Sequence, residues 1–174
     1  TNGMLLKKYA AAAARLDLLE VSIDSLNPER FAKRRGLASL QTILDNLEFV
    51  LAKRKAFTTQ INATVNLENL GDLPELAEFC RQRDLVLHPE AVHNVMRGGD
   101  ALPDVELQGV EIDRVERALR ELRSRYPQNV RFYTHYYDFY RQGGFGPKFP
   151  CRHPSKLISM KPDGSVHLPC AFVT

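Results

Sequence analysis

Apolar and polar positions follow helical and strand periods in turn along most of the chain. Apolar residues recur at helical spacing in three segments, which predict the helices Leu37–Leu51, Pro74–Arg83 and Ile112–Leu122. A stretch rich in alanine, leucine and lysine predicts one more helix, Leu5–Leu16. Shorter apolar runs predict three strands between these helices, at Leu18–Asp24, Thr58–Val65 and Leu85–Leu87.

Two proline dipeptides are predicted to end strands. Asn27-Pro28 follows the first strand, and His88-Pro89 closes the third. Val130–Tyr133 is predicted as a further strand after the last helix. Alternating helices and strands are typical of a parallel sheet with crossover helices, which is either an open α/β sheet or a (β/α) barrel.

The pattern changes near residue 142, where we predict a domain boundary. Arg141–Pro147 is a glycine-rich linker that separates residues 1–141 from residues 142–174. Beyond the linker, Leu157–Met160 and Val166–Leu168 flank the turn sequence Lys161–Ser165. A turn of this composition between two short apolar runs predicts a β-hairpin.

Polar side chains occupy one whole face of the second predicted strand, at Gln60, Asn62, Thr64 and Asn66. Strands buried between two layers of helices are normally apolar on both faces. Two interpretations follow: an edge strand with one face in water, or a barrel strand that lines a polar ligand cavity. Ser22 and Asp24 favour the cavity, because they end the preceding strand and ligands of α/β folds bind at the carboxyl ends of strands.

Composition narrows the class of protein. The 174 residues are 44% apolar and 26% charged, which is typical of a globular chain and excludes disordered, collagen-like and disulfide-dense proteins. No apolar run approaches the ~20 residues that span a bilayer. The net charge of +3 gives no electrostatic indication of nucleic-acid binding. Three cysteines, an odd number, suit a reducing compartment, so a cytoplasmic location is expected.

Cys151 and Cys170 flank the predicted hairpin, which would bring them close enough to bind one metal ion or cluster. Two free thiols or one disulfide are the alternatives. Cys80 lies on an apolar helix face and is predicted to be a buried structural residue. The histidines form no helical pair at metal-ligand spacing and are predicted to be packing or surface residues: His88, His93, His135, His153 and His167.

Five segments, in this order, resemble the radical S-adenosylmethionine superfamily, and in particular its branch of molybdenum-cofactor and peptide-maturase enzymes. They are Thr1–Gly3, Val21–Phe31, Arg35-Gly36, Ile61–Val65 and Asn69. The resemblance implies a partial (β/α) barrel over residues 1–141 that lacks its first strands. Since the chain begins without a methionine and ends shortly after Cys170, a piece of a longer protein is expected.

The C-terminal part resembles the opening of a SPASM or twitch domain, which binds auxiliary iron–sulfur clusters. The similar segments are Tyr126-Pro127, Cys151, Leu157–Gly164 and Pro169-Cys170. The resemblance implies an auxiliary 4Fe-4S cluster with Cys151 and Cys170 among its ligands. Two differences from the SPASM pattern leave the number of such clusters open: five residues separate Gly164 from Cys170 where four are commoner, and the domain's later cysteines would follow Thr174.

The family's C-x3-C-x2-C triad, which holds the radical-generating 4Fe-4S cluster, is absent from the sequence. Its position in the family places it before Thr1, so the chain by itself is expected to be inactive. No second cysteine follows Cys151 at the spacing of the molybdenum-cofactor enzyme, so that particular activity is not predicted.

The resemblance also implies cofactor contacts at the ends of the first strands. Ser22 would hydrogen-bond the carboxylate or the ribose of S-adenosylmethionine, and Asp24 would support the end of the same strand. Thr1 and Asn2 would end the preceding strand, near the adenosine or the methionine moiety.

Three further contacts are implied on the neighbouring elements. Asn62 and Thr64 would meet the ribose or the substrate from the polar face of their strand. Arg35 would pair with the methionine carboxylate, since a guanidinium binds a carboxylate through two hydrogen bonds. The alternative for Arg35 is a solvated arginine at a helix start.

The implied activity is that of a radical S-adenosylmethionine oxidoreductase or maturase. A reduced 4Fe-4S cluster donates one electron to S-adenosylmethionine, and the resulting 5'-deoxyadenosyl radical abstracts hydrogen from a peptide or a small metabolite. An electron donor such as flavodoxin or ferredoxin is implied as a partner. One rival function is a non-catalytic (β/α) domain that binds a small ligand or zinc. A metal-dependent barrel hydrolase or aldolase is a weaker rival, because no His/Asp ligand set supports it.

Overall fold

The computed structural model describes residues 1–36, 39–53, 58–91, 110–134, 137–138, 141, 159–160 and 166–167. These residues form five α-helices and five strands, with a short 3-10 turn at Leu70–Asp72. The helices are α1 (Ala10–Ala13), α2 (Pro28–Arg35), α3 (Leu40–Leu51), α4 (Leu73–Gln82) and α5 (Val110–Arg125). The strands are β1 (Leu18–Ser22), β2 (Thr58–Val65), β3 (Val86–Ala91), β4 (Ser159–Met160) and β5 (Val166–His167). No helix within these described ranges is long and apolar enough to cross a membrane.

The main sheet is parallel, and its order β1-β2-β3 is the order of the chain. Val130 adds a parallel bridge to Leu87 on the far side of β3. On the near side of β1, the Thr1 amine donates to the Glu20 carbonyl at 3.0 Å, and the Thr1 carbonyl accepts from Ser22 N–H at 2.9 Å. That alternation is the hydrogen-bond pattern of a parallel ladder. The prediction of a parallel sheet with crossover helices is therefore confirmed.

The two faces of this sheet differ in polarity. One face is buried and, apart from Thr59, apolar, with Val21, Ile61 and Leu87 in one row beneath the helices. The helices supply buried apolar residues to the same core, among them Ile43 of α3 and Leu76 of α4. On the opposite face, the side chains of β2 are polar and half-buried or exposed. The strand alternation seen in the sequence therefore separates a core face from a polar face.

Helix α2 was not predicted, because its sequence carries no apolar stripe and buries only Phe31. The Asn27 side chain accepts a hydrogen bond from Arg30 N–H at 3.0 Å, and Pro28 occupies the first turn, where no N–H is needed. Asn27-Pro28 therefore starts a helix instead of only ending a strand. Arg35 is the last residue of α2, so the alternative that placed it at a helix start is wrong.

Strand β3 runs through His88-Pro89, where the sequence predicted its end. Leu87 N–H donates to the Asn129 carbonyl, and the Leu87 carbonyl accepts from Arg131 N–H. Both groups of Leu87 therefore point away from β2. Pro89, two residues on, points its nitrogen the same way, so its missing N–H removes no hydrogen bond between β3 and β2.

Two other elements are shorter than predicted. Of Leu5–Leu16 only Ala10–Ala13 is α-helical, with turns on both sides, because intrinsic propensity is a weak determinant beside tertiary contacts. In Val130–Tyr133 only Val130 pairs with the sheet. Near the C-terminus, Ser159–Met160 pairs antiparallel with Val166–His167.

Helix α5 holds a buried carboxylate. Burial raises the pKa of Glu116, but hydrogen bonds from Arg141 and Arg120 outweigh it, so the pKa lies below its ordinary value of 4.5. Arg141 also bonds Asp113 at 2.8 Å, which ties the residue at the end of the first predicted domain to α5.

The hydrogen bonds of Glu116 should make the stability of the fold depend on pH in the acidic range. A carboxylate with a lowered folded-state pKa contributes stability that is complete above 4.5 and is lost as the pH falls through the folded value. We therefore expect Glu116→Gln to lower the melting temperature at pH 7 and to have a shrinking effect below pH 4.5. Thermal melts of both proteins from pH 7 to pH 3 measure this, and a constant difference would contradict it.

Candidate functional site

A row of polar side chains crosses the sheet, at the carboxyl end of β1 and through the middle of β2 and β3. Ser22 of β1, Asn62 of β2 and His88 of β3 occupy matching register positions. All three are half-buried. The ladder at Thr1 places Asn2 next in the same row, beside Ser22. We call Ser22, Asn62 and His88 the polar row.

The Gln60 side chain lies on the same face of the sheet, two residues before Asn62, and contacts side chains of all three strands. Its Nε2 lies 2.9 Å from Glu20 Oε1, 2.7 Å from Asn62 Oδ1 and 3.1 Å from His88 Nδ1. The Tyr133 ring stands edge-on to the His88 ring, with 5.3 Å between the ring centroids. The polar row is therefore supported by contacts that involve all three strands and the segment after α5.

The first predicted site residues, Thr1 and Asn2, lie at the start of a turn. Thr1 Oγ1 accepts from Gly3 N–H at 3.3 Å, and Asn2 Oδ1 accepts from Met4 N–H at 3.2 Å. Both side chains are exposed at the carboxyl edge of the sheet. The structure thus brings them close to Ser22, whose N–H bonds the Thr1 carbonyl.

Asp24 and Arg35 form an ion pair behind the polar row. Arg35 Nε and Nη2 donate to the two Asp24 carboxylate oxygens at 2.7 and 2.8 Å. Asp24 Oδ1 also accepts from Thr64 N–H at 2.8 Å, so the carboxylate joins the ends of β1 and β2. Asp24 is only 3% exposed, whereas the Arg35 side chain is 29% exposed. Arg35 therefore already has a carboxylate partner within the protein.

Asn69 is a second buried residue that joins the segments at the carboxyl ends of β1 and β2. Its Nδ2 donates to the carbonyls of Asp24 at 3.0 Å and Thr64 at 2.9 Å, while its Oδ1 accepts from Asn66 N–H. The Thr64 carbonyl also accepts from Arg34 Nη1 at 3.1 Å. The backbone of Thr64 is thus fully engaged, and its exposed side chain is the part that faces solvent.

Two more buried residues of this edge escaped the sequence reasoning. Asp72 accepts from Ser25 Oγ at 2.6 Å and from Arg30 Nη2 at 2.9 Å. The only signal was that Ser25 follows a strand end and Asp72 precedes Leu73-Pro74 at a helix start. Residues that meet through tertiary contacts have no characteristic separation in the sequence, so no spacing pattern reveals them. Together with Asp24 and Asn69 they fix the carboxyl ends of β1 and β2.

The cysteines divide into one described residue and two that lie outside the described residues. Cys80 is buried on α4 as predicted, and burial raises the pKa of its thiol to about 12. Its side chain is fully buried among apolar residues of the core, as expected for a structural cysteine. The predicted ligands Cys151 and Cys170 lie outside the described residues. Within the described ranges, no three His, Cys, Asp or Glu side chains group to hold a metal ion.

Comparison with curated proteins finds relatives over half of the chain. The sequence is 32% identical over 93 residues to a probable GTP 3',8-cyclase of Methanococcus maripaludis, which covers 50% of this chain and 30% of that protein. It is 34% identical over 90 residues to the corresponding protein of Methanococcus aeolicus, over 50% of this chain and 29% of the relative. A GTP 3',8-cyclase of Synechocystis is 33% identical over 88 residues, which cover 49% of this chain and 26% of the relative.

The similarity thus spans less than a third of each of these relatives. No protein-family model matches the sequence. GTP 3',8-cyclases are radical S-adenosylmethionine enzymes. The parallel sheet with its crossover helices is compatible with part of such a domain. Half of this chain is therefore similar to part of several radical S-adenosylmethionine enzymes, which supports the resemblance drawn from its sequence.

Proposed function

We propose that this chain forms part of the (β/α) barrel of a radical S-adenosylmethionine enzyme, with residues 1–141 as the barrel part. The observation that carries the proposal is the polar row across three parallel strands, at the last residue of β1 and three residues before the ends of β2 and β3, on the face opposite the helix-packed core. Ligands of α/β folds bind at the carboxyl ends of strands, where Ser22 and the exposed Thr64 lie. A singly wound sheet in chain order is also the strand arrangement of a barrel.

The chemistry of the polar face fits S-adenosylmethionine. That cofactor presents a carboxylate, ribose hydroxyls and adenine nitrogens, and the face offers hydroxyl, amide and imidazole groups as partners. In the proposed arrangement, Ser22 contacts the carboxylate or the ribose, and Thr1 and Asn2 lie near the adenosine or methionine. When bound beside a reduced 4Fe-4S cluster, the cofactor supplies a 5'-deoxyadenosyl radical that abstracts hydrogen from the substrate.

The remaining proposed contacts involve residues that the structure shows in defined surroundings. Asn62 and Thr64 meet the ribose or the substrate from β2. Asp24 supports the strand ends through Thr64 N–H. Arg35 uses two of its five N–H groups on Asp24, so the others can bind the methionine carboxylate while the ion pair stays intact. These residues bind and orient ligands and exclude water.

The substrate is proposed to be a small molecule. The curated relatives are named for a reaction of GTP, which favours a small metabolite over a peptide and makes GTP the first substrate to test. An electron donor such as flavodoxin or ferredoxin would reduce the cluster.

Residues 142–174 are proposed to begin a domain for an auxiliary 4Fe-4S cluster with Cys151 and Cys170 as ligands. The antiparallel pairing of β4 with β5 supports this, because it sets the strand after Cys151 beside the strand before Cys170. Replacing either cysteine with alanine would then lower the iron content of the reconstituted protein by part of a cluster.

The activity is tested with the full-length protein, purified and reconstituted with iron and sulfide in the absence of oxygen. We expect 5'-deoxyadenosine to form from S-adenosylmethionine after reduction. Ser22→Ala and Asn62→Ala should each weaken S-adenosylmethionine binding about tenfold, because each removes a hydrogen-bonding partner worth about 1 kcal/mol or more. Equilibrium binding measures the affinity, and chromatography measures the product.

A matched control is Gln82→Ala, which removes an exposed amide at the end of α4, outside the polar row. It should leave both binding and product unchanged, and all three variants should keep the same iron content. Zinc without cluster absorbance, together with no 5'-deoxyadenosine, would instead favour the rival function of a non-catalytic ligand- or zinc-binding domain.

A further inference from the structure

The orientation of the Gln60 amide follows from its neighbours. An ionised carboxylate only accepts hydrogen bonds, so the Gln60 atom 2.9 Å from Glu20 Oε1 must be the NH2 group. The same nitrogen lies 2.7 Å from Asn62 Oδ1. Reversing the Asn62 amide would set two NH2 groups against each other, so Asn62 turns its oxygen towards Gln60. Its own NH2 group is therefore directed away from Gln60.

The same reasoning determines the state of the His88 ring. Gln60 Nε2 lies 3.1 Å from His88 Nδ1; its two hydrogens are shared among three acceptor atoms, and an amide nitrogen cannot accept a hydrogen bond from an N–H at Nδ1. Nδ1 must therefore present its lone pair, and the hydrogen of the neutral ring is on Nε2. The hydrogen bond and the ion-pair contact that His88 makes with the described residues both involve Nδ1 and not Nε2.

Among the described residues, no charged side chain near His88 accepts a hydrogen bond from Nδ1. Glu90 Oε1 is 3.9 Å from Nδ1, which is too long for a hydrogen bond. Gln60 Nε2 lies between the Glu20 carboxylate and the His88 ring, within hydrogen-bond distance of both. Tyr133 meets the ring edge-on.

We propose that Gln60 is a positioning residue that turns Asn62 and His88 into a pair of hydrogen-bond donors for oxygen atoms of the bound small molecule. Asn62 and His88 occupy matching positions on adjacent strands, about 5 Å apart. The pair therefore favours a ligand that presents two acceptor oxygens, one to each side chain, such as hydroxyl, carboxylate or phosphate oxygens. The identity of the ligand rests on the proposed function, whereas the donor state of the two side chains rests on the geometry alone.

The test exchanges the two ends of the Glu20–Gln60 contact. In the double variant Glu20→Gln/Gln60→Glu the hydrogen bond between the positions is kept, but the new carboxylate at position 60 accepts where the amide donated. We expect His88 to move its hydrogen to Nδ1. Long-range 1H–15N NMR of the full-length protein, at a pH where histidine rings are neutral, distinguishes protonated from unprotonated ring nitrogens. His88→Gln identifies the signal among the five histidines.

The matched control is Glu78→Gln/Gln82→Glu, which exchanges an equivalent contact of 3.0 Å on the exposed face of α4. It should leave the His88 signal at its wild-type position. The proposal is overturned if Nδ1 already carries hydrogen in the wild-type protein, or if the Glu20/Gln60 exchange leaves the His88 spectrum unchanged.

Ligand contact is tested by adding S-adenosylmethionine and GTP separately to the wild-type protein. At least one of them should shift the His88 Nε2–H signal, and the Glu20/Gln60 exchange should weaken its binding at least tenfold. A His88 signal unmoved by both ligands, in a protein that still forms 5'-deoxyadenosine, would overturn this inference and leave the proposed function standing. A shift without 5'-deoxyadenosine would do the reverse.

Discussion

Replacing Asp24 with alanine is expected to lower the free energy of unfolding by about 3 kcal/mol, the cost of breaking a buried ion pair. The substitution removes both oxygens that hold Arg35 and leaves the Thr64 N–H without its acceptor. Unpaired buried groups carry most of such a penalty. The effect is large because one carboxylate joins β1, α2 and β2.

Urea unfolding of the wild-type and variant proteins measures this change. The matched control is Glu78→Ala, which removes another carboxylate held by two nitrogens of one arginine, Arg81, on the exposed surface of α4. It should change stability little, since water replaces the lost partner. Equal losses from Asp24→Ala and Glu78→Ala would show that the contacts of Asp24 are no more important than a surface ion pair.

Gly3→Ala is expected to cost a similar amount, about 3 kcal/mol, for two reasons that add. Gly3 has φ +79°, a conformation that side chains strain. A Cβ at this position would also lie 2.7 Å from Ile43 Cγ2 and 3.2 Å from Val21 Cγ1, inside the fully buried core between α3 and β1. Thermal and urea unfolding would both report the loss.

Substitutions at two other glycines test the backbone strain and the steric clash separately. Gly36 has φ +68° and ψ −134°, outside the small left-handed region open to other residues, but a Cβ added there would have no neighbour within 4 Å, so Gly36→Ala should cost about 2 kcal/mol for the backbone conformation alone. Gly71 has neither a positive φ nor a close neighbour, so Gly71→Ala should change stability by less than about 0.5 kcal/mol. A Gly3→Ala effect no larger than that of Gly36→Ala would remove the steric part of the explanation.

Hydrophobic periodicity alone predicted those helices and strands that bury only one face. The sequence predicted β2 with its observed bounds, because apolar and polar residues alternate from Gln60 to Val65. Helices α4 and α5 were predicted to within a few residues for the same reason. Helix α2 was missed because its cap, its first-turn proline and its one buried side chain fix it without any stripe.

The candidate site was predictable only in part. The polar face could be anticipated from Ser22, Asn62 and Thr64, because strand alternation assigns residues to faces. The partners of Asp24 could not, since Arg35 and Thr64 reach it through tertiary contacts that depend on a helix without a sequence signal. The same holds for Gln60, whose contacts depend on the register of three strands.

The chain-ordered sheet also bears on how the protein folds. Every strand of the main sheet pairs with its predecessor in the chain, as Thr58 does with Leu18 and Val86 with Gln60. No pairing has to wait for a distant segment, so each loop closure costs a similar, moderate entropy. Strands can therefore be added one after another while the chain is being synthesised. The apolar underside of a partial sheet is covered as each crossover helix arrives, which limits the time that aggregation-prone edges stay exposed.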